Sequence, residues 1–199
     1  MFKPTAITLS TNKVTLKPLS TTHLLEFFNA GSFPEVWTWS LPDKCTSIDV
    51  TKDWLRYSQQ QYEKGLHVPF AIFDNESGQF VGSTRYCSIN KDDRSLEIGF
   101  TFITPKFQRS YINTHAKYCL LKHAFEELNA IRVEFKTHEQ NSKSRNAIAR
   151  IGAEFEGILR NQRILSDGSY RNTAIFSVIE NEWQSVKKDL EEKMEESYG

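Results

Sequence analysis

At positions 95–103 the sequence is Ser95-Leu-Glu-Ile-Gly-Phe-Thr-Phe-Ile103, and at positions 132–137 it is Arg132-Val-Glu-Phe-Lys-Thr137. Both runs alternate apolar residues with others, as strands do. Between them, apolar residues recur at three- and four-residue intervals, which predicts a helix over about 114–129. A strand, a helix and a strand in this order form a right-handed crossover, so we expect the two strands to be parallel neighbours.

The rest of the chain predicts strands and helices on both sides of this unit. Before it we expect a strand at 14–19, helices from about Leu24 and from Ser47 to Gly65, and strands at 68–74 and 80–86. After it we expect a helix at 141–151, strands at 154–163 and 170–179 joined by a turn at 166–169, and a charged helix at 182–196. This order predicts an α/β (α+β) fold with a mixed, mostly antiparallel twisted sheet, a central parallel strand pair and flanking helices.

Length and composition favour one folded domain. The chain has 199 residues, 39% of them hydrophobic, and contains no repeat or linker-like stretch. This composition excludes a disordered chain and a small disulfide-stabilised scaffold. We therefore expect a single domain over 1–199, with a core at about 14–183 and a charged C-terminal helix at 184–199.

The location of the protein and its metal content are predicted from what the sequence does not contain. No apolar stretch has the length of a signal peptide or of a membrane helix, so we expect a cytoplasmic protein without a membrane partner. The three cysteines, Cys45, Cys87 and Cys119, are far apart and outside any metal-binding spacing. We therefore expect neither a disulfide framework nor a metal site.

The net charge of zero hides an uneven distribution. Residues 106–171 carry 12 basic and 7 acidic side chains, whereas residues 172–199 carry 3 and 7. Within 106–122 there are four cations and no acid. The segment from Gln108 to Thr114 precedes the predicted central helix, where unpaired amides and the helix dipole favour an anion. A solvated basic helix face is the alternative interpretation.

Three segments resemble the GCN5-related N-acetyltransferase (GNAT) family, and in particular the branch of ribosomal-protein alanine acetyltransferases. The first is Leu96-Glu-Ile-Gly-Phe-Thr-Phe-Ile103, similar to the fourth strand of that branch. The second is Gln108-x-x-Tyr111-x-Asn113, which matches the position of the pyrophosphate loop, although Tyr111 and Asn113 replace residues that are usually small. The third comprises Asn141-Ser-Lys-Ser144, Ala147-Ile-Ala-Arg-Ile-Gly-Ala153 and Glu156-Gly-Ile-Leu-Arg160.

The resemblance implies a GNAT-like fold and transfer of an acetyl group from acetyl-CoA to an amine. Loop amides at a helix start would bind the pyrophosphate, and backbone groups at the end of the fourth strand would bind the pantetheine arm and polarise the thioester. The implied cosubstrate-binding residues are Phe102, Ile103, Gln108, Arg109, Ser110, Tyr111, Ile112, Asn113, Thr114, Asn141 and Ser144.

Glu97 is the candidate general base. The attacking amine must lose a proton, and strict alternation places Glu97 with Gly99 and Thr101 on the face opposite Leu96, Ile98, Phe100 and Phe102. Glu97 also matches the position of the glutamate proposed as base in the similar enzymes. An exposed carboxylate paired with Arg94 or Arg85 is the alternative.

Ser144 matches the serine to which the ribosomal-protein branch assigns contact with the sulfur, whereas Ile148 stands where many relatives have a tyrosine acid. The alternative for Asn141 and Ser144 is a capped helix start, because Asn is a good N-cap. Trp37, Trp39 and Tyr86 are candidates for the acceptor pocket, with core packing as the alternative.

The predicted function is therefore N-acetyl transfer to a primary amine, either a protein N-terminus or a small molecule, by direct attack in a ternary complex. Two alternatives are a CoA-binding protein without turnover and a ribosome- or RNA-associated binding module. We expect acetyl-CoA and the amine as partners, no stable nucleic-acid binding, and, from the resemblance, a homodimer.

Overall fold

An eight-stranded sheet forms the framework of the computed structural model, which describes residues 2–39, 44–165 and 168–195. The strands are β1 Leu9–Ser10, β2 Val14–Pro18, β3 Val68–Asp74, β4 Phe80–Asn90, β5 Ser95–Ile103, β6 Arg132–His138, β7 Glu154–Ile164 and β8 Tyr170–Ile179. Their order across the sheet is β1-β2-β3-β4-β5-β6-β8-β7. Only β5 and β6 pair in parallel among these described strands, which confirms the predicted central pair.

Helices cover both faces of the sheet. The α-helices are α1 Leu24–Gly31, α2 Ile48–Glu63, α3 Ile112–Lys122, α4 Ser142–Arg150 and α5 Trp183–Glu195. A core that includes Phe27 of α1 and Leu55 of α2 lies on one face. A larger core that includes Leu120 of α3, Ile148 of α4 and Leu190 of α5 lies on the other. No helix in the described part of the chain is long and apolar enough to cross a membrane.

The helix starts follow the predicted capping chemistry. Ser47 accepts a hydrogen bond from the amide of Val50 at 3.2 Å, and Asn141 accepts one from the amide of Ser144 at 3.0 Å. Gly65 follows α2 with a φ of 70°, a conformation that glycine adopts without a steric cost. Local sequence is therefore sufficient to define where these helices begin and end.

Some boundaries differ from the predicted ones. β4 continues to Asn90, and α3 begins at Ile112 and leads into a π-helical turn at His123–Glu127. Pro42 of the α1–α2 connection, residues 166 and 167 of the predicted hairpin turn and residues 196–199 of the predicted terminal helix lie outside the described residues.

A β-bulge interrupts the alternation of β5. Ser83 pairs with Phe102 and Arg85 with Gly99, so Thr84 on β4 lies opposite two residues of β5, Phe100 and Thr101. Phe100 has a φ of 50°. An extra residue of this kind bends the strand and turns the following side chains to the opposite face.

Because of the bulge, the side chains of β5 beyond Gly99 do not lie on the faces that strict alternation predicts. Leu96 and Ile98 pack in the core on the α3 side, and Thr101 faces the same side. Phe102, in contrast, packs with the core of α1 and α2. Glu97 therefore lies on the same face as Phe102 and not with Thr101. Strict alternation fails because the sequence pattern alone does not reveal the additional residue.

Gly82 allows β4 and β5 to approach each other beyond the bulge. A Cβ at this position would overlap the carbonyl oxygen of Phe102, a backbone atom that cannot rotate away. The close strand pairing after the bulge therefore requires a residue without a side chain.

Gly82→Ala should lower the free energy of unfolding by about 3 kcal/mol, because the added methyl group pushes β5 away from β4. Gly78→Ala is the control, since no atom lies within 4 Å of a Cβ there and only the φ of 69° opposes it; its cost should be about 1 kcal/mol. Urea denaturation measures both, and equal losses would contradict the importance of this contact.

Candidate active site

β5 and β6 separate at the centre of the sheet. Their parallel pairing ends at Glu97 and Glu134. Beyond these residues β5 continues to Ile103 and β6 to His138 without ladder pairs between them. We call the space between segments 98–103 and 135–138 the β5–β6 opening. Strand edges of this kind leave backbone donors and acceptors available for an extended ligand.

Gln108 connects the end of β5 to the start of α4, next to this opening. Its side-chain amide donates to the carbonyl oxygen of Ile103 at 2.7 Å, and its side-chain oxygen accepts a hydrogen bond from Lys143 of α4. The structure thus brings the start of α4, 35 positions away in sequence, to the loop before α3 and the end of β5.

The loop before α3 tolerates Tyr111 because the left-handed position is elsewhere. Arg109 has a φ of 61°, whereas Tyr111 has a φ of −65° and is the N-cap residue of α3. The Tyr111 hydroxyl donates to Asp74, the last residue of β3, at 2.6 Å. Burial and this hydrogen bond raise the pKa of the Tyr111 hydroxyl, so the ring anchors the loop in its protonated form.

The donors around the start of α3 match a phosphate-bearing group. The first turn of an α-helix carries amides without intrahelical acceptors and the positive end of the dipole. Arg109 is exposed beside it, and Lys143 reaches the same loop from α4. The first turn of α3 contains no acidic side chain. These groups therefore fit the pyrophosphate of CoA. Ile112 is fully buried, and its amide already donates to the Ser110 hydroxyl at 3.3 Å.

Asn141 and Ser144 form a capped helix start at the opening. The side-chain oxygen of Asn141 accepts the Ser144 amide hydrogen bond, which confirms the predicted N-cap. Ser144 is partly exposed. A cap at this position is compatible with ligand contact, because the neighbouring Lys143 already reaches the loop of Gln108.

Glu97 lies where the β5–β6 pairing ends, and it is only 7% exposed. Its Oε2 accepts hydrogen bonds from Lys136 and from Ser88, each at 3.1 Å. Its Oε1 lies against Gly99, where a Cβ would approach it to 2.8 Å. Neither Arg85 nor Arg94 forms an ion pair with it among the described residues, so the surface-pair alternative is not what the structure shows.

Lys136 links Glu97 to a second carboxylate. Its amino group also contacts Glu134 at 2.7 Å. Burial alone would lower the pKa of Lys136, but the hydrogen bond to Glu134 and the charge of Glu97 outweigh it, so its pKa is raised. Lys136 therefore stays charged, and although burial opposes the effect, its hydrogen bond to Glu134 helps to lower the pKa of that carboxyl group.

The three aromatic candidates for the acceptor pocket have different environments. Trp37 is buried, donates to the carbonyl of Gly31 and packs on Phe102. Tyr86 is fully buried on the α3 side and donates to the carbonyl of Leu120. Both rings therefore pack in the core, which is the alternative interpretation of their positions in the sequence. Trp39 is 37% exposed, and its ring packs on the ring of His138 at 4.7 Å between centroids.

The sequence pattern gives no signal for the buried guanidinium of Arg85. It lies against the rings of Trp54 and Phe100, donates to Ser58 and contacts His67. Burial lowers the pKa of Arg85 to about 10, and burial together with the Arg85 charge lowers the pKa of His67 to about 4. Neutral His67 can therefore accept the guanidinium hydrogen bond, although the Nε of Arg85 has no partner among the described residues.

Lys117 of α3 belongs to the basic stretch of the sequence, but it is only 5% exposed. Its amino group donates to the hydroxyl of Thr101 at 2.7 Å. A sequence signal for its burial exists, because Lys117 precedes the apolar residues Leu120, Leu121 and Ala124 by three, four and seven positions. It therefore occupies the apolar stripe of α3 and not the solvated face.

Other features of the described residues do not define a competing site. Cavities of about 670 and 270 Å³ open on the β7–β8 hairpin and between this hairpin and α4. Neither is lined by the loop before α3 or by Glu97. No group of three potential metal ligands occurs in the described residues.

Comparison with known proteins assigns the family. The acetyltransferase (GNAT) domain family matches residues 13–154. The putative ribosomal N-acetyltransferase YdaF of Bacillus subtilis is 31% identical over 110 residues, which cover 55% of this chain and 59% of YdaF. The uncharacterised N-acetyltransferase p20 of Bacillus licheniformis is 22% identical over 88% of this chain and 98% of its own length.

Solved structures agree with this assignment. A GCN5-related N-acetyltransferase from Brucella melitensis has a TM-score of 0.90 and 28% identity, covering 96% of this chain and 87% of its own. A putative acetyltransferase from T. thermophilus has a TM-score of 0.85 and 31% identity, covering 94% of this chain and 96% of its own. Mycobacterium smegmatis RimJ, solved with CoA-disulfide, shares the fold with a TM-score of 0.77 at 21% identity, over 90% of this chain and 88% of RimJ. The chain therefore belongs to the GNAT acetyltransferase family and is an acyltransferase.

Proposed function

We propose that this GNAT enzyme transfers the acetyl group of acetyl-CoA to a primary amine, by direct attack while both substrates are bound. The β5–β6 opening supports this proposal most strongly, because it joins a phosphate-compatible helix start to a buried carboxylate. We further propose that residues 1–199 act as a single cytoplasmic domain. The homodimer stays a prediction.

Acetyl-CoA supplies an activated acyl group when it is bound. The proposed contacts for it comprise the backbone at the end of β5, the loop and first turn of α3, and the start of α4: Phe102, Ile103, Gln108, Arg109, Ser110, Tyr111, Ile112, Asn113, Thr114, Asn141 and Ser144. The side-chain amide of Gln108 donates a hydrogen bond to the carbonyl oxygen of Ile103. We expect this hydrogen bond to break when a pantetheine amide pairs with the strand.

Glu97 is proposed to take the proton of the attacking amine. A primary amine is largely protonated at neutral pH, and the ammonium form is not nucleophilic. A base near the acyl carbon must therefore take the proton, directly or through a water molecule, and a carboxylate can do this. Lys136 and Ser88 engage Oε2, and Oε1 lies beside Gly99. We propose that Oε1 receives the proton while Lys136 keeps the carboxylate oriented.

Ser144 is proposed to donate a hydrogen bond to the sulfur of the departing thiol. Its backbone amide donates a hydrogen bond to Asn141, which fixes the position of Ser144 in the first turn of α4. On the acceptor side, the exposed ring of Trp39 and its neighbour His138 are the candidates for contact with the amine substrate. The relative named a putative ribosomal N-acetyltransferase makes a ribosomal-protein N-terminus one acceptor to test.

The acceptor class should be identified by a screen of amines, polyamines and N-terminal peptides with acetyl-CoA, read by release of free thiol. We expect saturable, amine-dependent release, with an amine-free reaction as the control for hydrolysis. Saturable CoA binding without product on any amine would instead indicate a binding protein without turnover. Salt-sensitive binding of RNA or ribosomes that acetyl-CoA does not compete with would indicate a binding module.

Glu97→Gln should lower kcat about a hundredfold, because the amide cannot accept the amine proton. The rate of the variant should follow the neutral fraction of the acceptor amine and rise with pH, while calorimetric CoA binding should remain. Glu134→Gln is the matched control, since Glu134 also contacts Lys136, and its loss should stay below tenfold. An unchanged rate and pH profile for Glu97→Gln would show that another group is the base.

A further inference from the structure

A buried polar cluster lies beneath the bulge of β5, on the α3 side of the sheet. It consists of Lys117, Thr84 and Thr101. The amino group of Lys117 donates to the Thr101 hydroxyl at 2.7 Å and lies 3.5 Å from the Thr84 hydroxyl. The two hydroxyls are 2.8 Å apart. We call this set the Lys117 cluster.

The interior offers Lys117 little support as a cation. No carboxylate of the described residues lies within ion-pairing distance of it. The groups that face it are the hydroxyl of Thr84 on β4, the hydroxyl of Thr101 on β5 and the ring of Phe135 on β6. Burial lowers the pKa of Lys117 to about 7, and the Cys87 thiol is the titratable group that opposes this shift. Lys117 can therefore gain and lose a proton near neutral pH.

One end of the cluster reaches the surface. Thr84 is fully buried, but Thr101 is exposed. Thr101 lies beyond Glu97, where β6 no longer pairs with β5, and the bulge at Phe100 turns its hydroxyl toward Lys117 of α3. The Thr101 hydroxyl thus connects a buried amine to the β5–β6 opening, one residue before Phe102.

We propose that Lys117 and Thr101 form a proton relay that protonates the departing thiol of CoA. This inference rests on the proposed acetyl transfer. As the carbon–sulfur bond breaks, its electron pair stays on sulfur, and sulfur takes the proton of the Thr101 hydroxyl. Thr101 takes a proton from the Lys117 ammonium group in turn, and Lys117 remains as a neutral amine until solvent protonates it again. Thr101 touches the reacting atom, and Lys117 acts through Thr101.

The relay adds an acid to a site that otherwise has only hydrogen-bond donors on this side. A serine or threonine hydroxyl alone cannot give up a net proton near neutral pH, so it must be supplied by a group that titrates there. Lys117 meets this requirement by its burial, while Ser144 at the opposite side of the opening can orient the sulfur.

The kinetic test compares Lys117→Met and Thr101→Val with two controls. Thr101→Ser keeps the hydroxyl, and Lys122→Met removes an exposed lysine from the same helix. In the wild type, kcat/KM for acetyl-CoA should fall above pH of about 7, because it reports the essential acid of the free enzyme. Lys117→Met and Thr101→Val should each lower kcat at least tenfold and lose this alkaline limb, and both controls should keep it.

One readout does not depend on turnover. Lys117 has a lower pKa in the folded chain than in the unfolded chain, so the unfolded chain binds more protons between pH of about 7 and 10.5. The wild type should therefore gain stability across this window relative to Lys117→Met, and the gain should be absent below pH 7.

The outcomes are distinct. If Lys117→Met retains the alkaline limb, with or without a loss of rate, Lys117 is structural and the relay is wrong. The same pH dependence of stability in the wild type and in Lys117→Met between pH of about 7 and 10.5 would overturn it as well. A wild type that releases no thiol with any amine would refute the proposed function and the relay together, whereas turnover with an unchanged Lys117→Met profile refutes the relay alone.

Discussion

The early end of the β5–β6 pairing is the constraint on which the rest of the site depends. A parallel ladder between these strands would use the backbone groups of residues 98–103 and exclude a ligand from the centre of the sheet. The ladder stops at Glu97 instead, next to Glu134. The backbone of Glu97 is therefore fixed by the strand ladder, while the residues immediately after it face an opening.

The charges on the two sides of the opening have separate tasks. On the side of α1 and α2, Lys136 has a raised pKa and forms ion pairs with Glu97 and Glu134. On the side of α3, Lys117 is buried without such a partner among the described residues and has a lowered pKa of about 7. The same residue type is thus a fixed cation on β6 and a titrating group on α3, because the neighbours differ.

Local signals predicted the elements well, and nonlocal contacts account for the remainder. Ser47, Gly65 and Asn141 carry capping chemistry that can be seen within a few residues, so the helices they bound were predictable. The bulge at Phe100 depends on the register between β4 and β5, which no single strand reveals. The bridge from Gln108 to Lys143 joins residues 35 positions apart. The burial of Lys117 differs from these nonlocal features, because its place in the apolar stripe of α3 can be read from the sequence.

The central claim, that CoA enters the β5–β6 opening and lies against the start of α3, is tested most directly by amide hydrogen exchange with and without CoA. The account predicts slower exchange in residues 101–104 and 108–115 when CoA is bound, with the β7–β8 hairpin unchanged. Protection confined to the hairpin, or no protection in these two segments at saturating CoA, would contradict it.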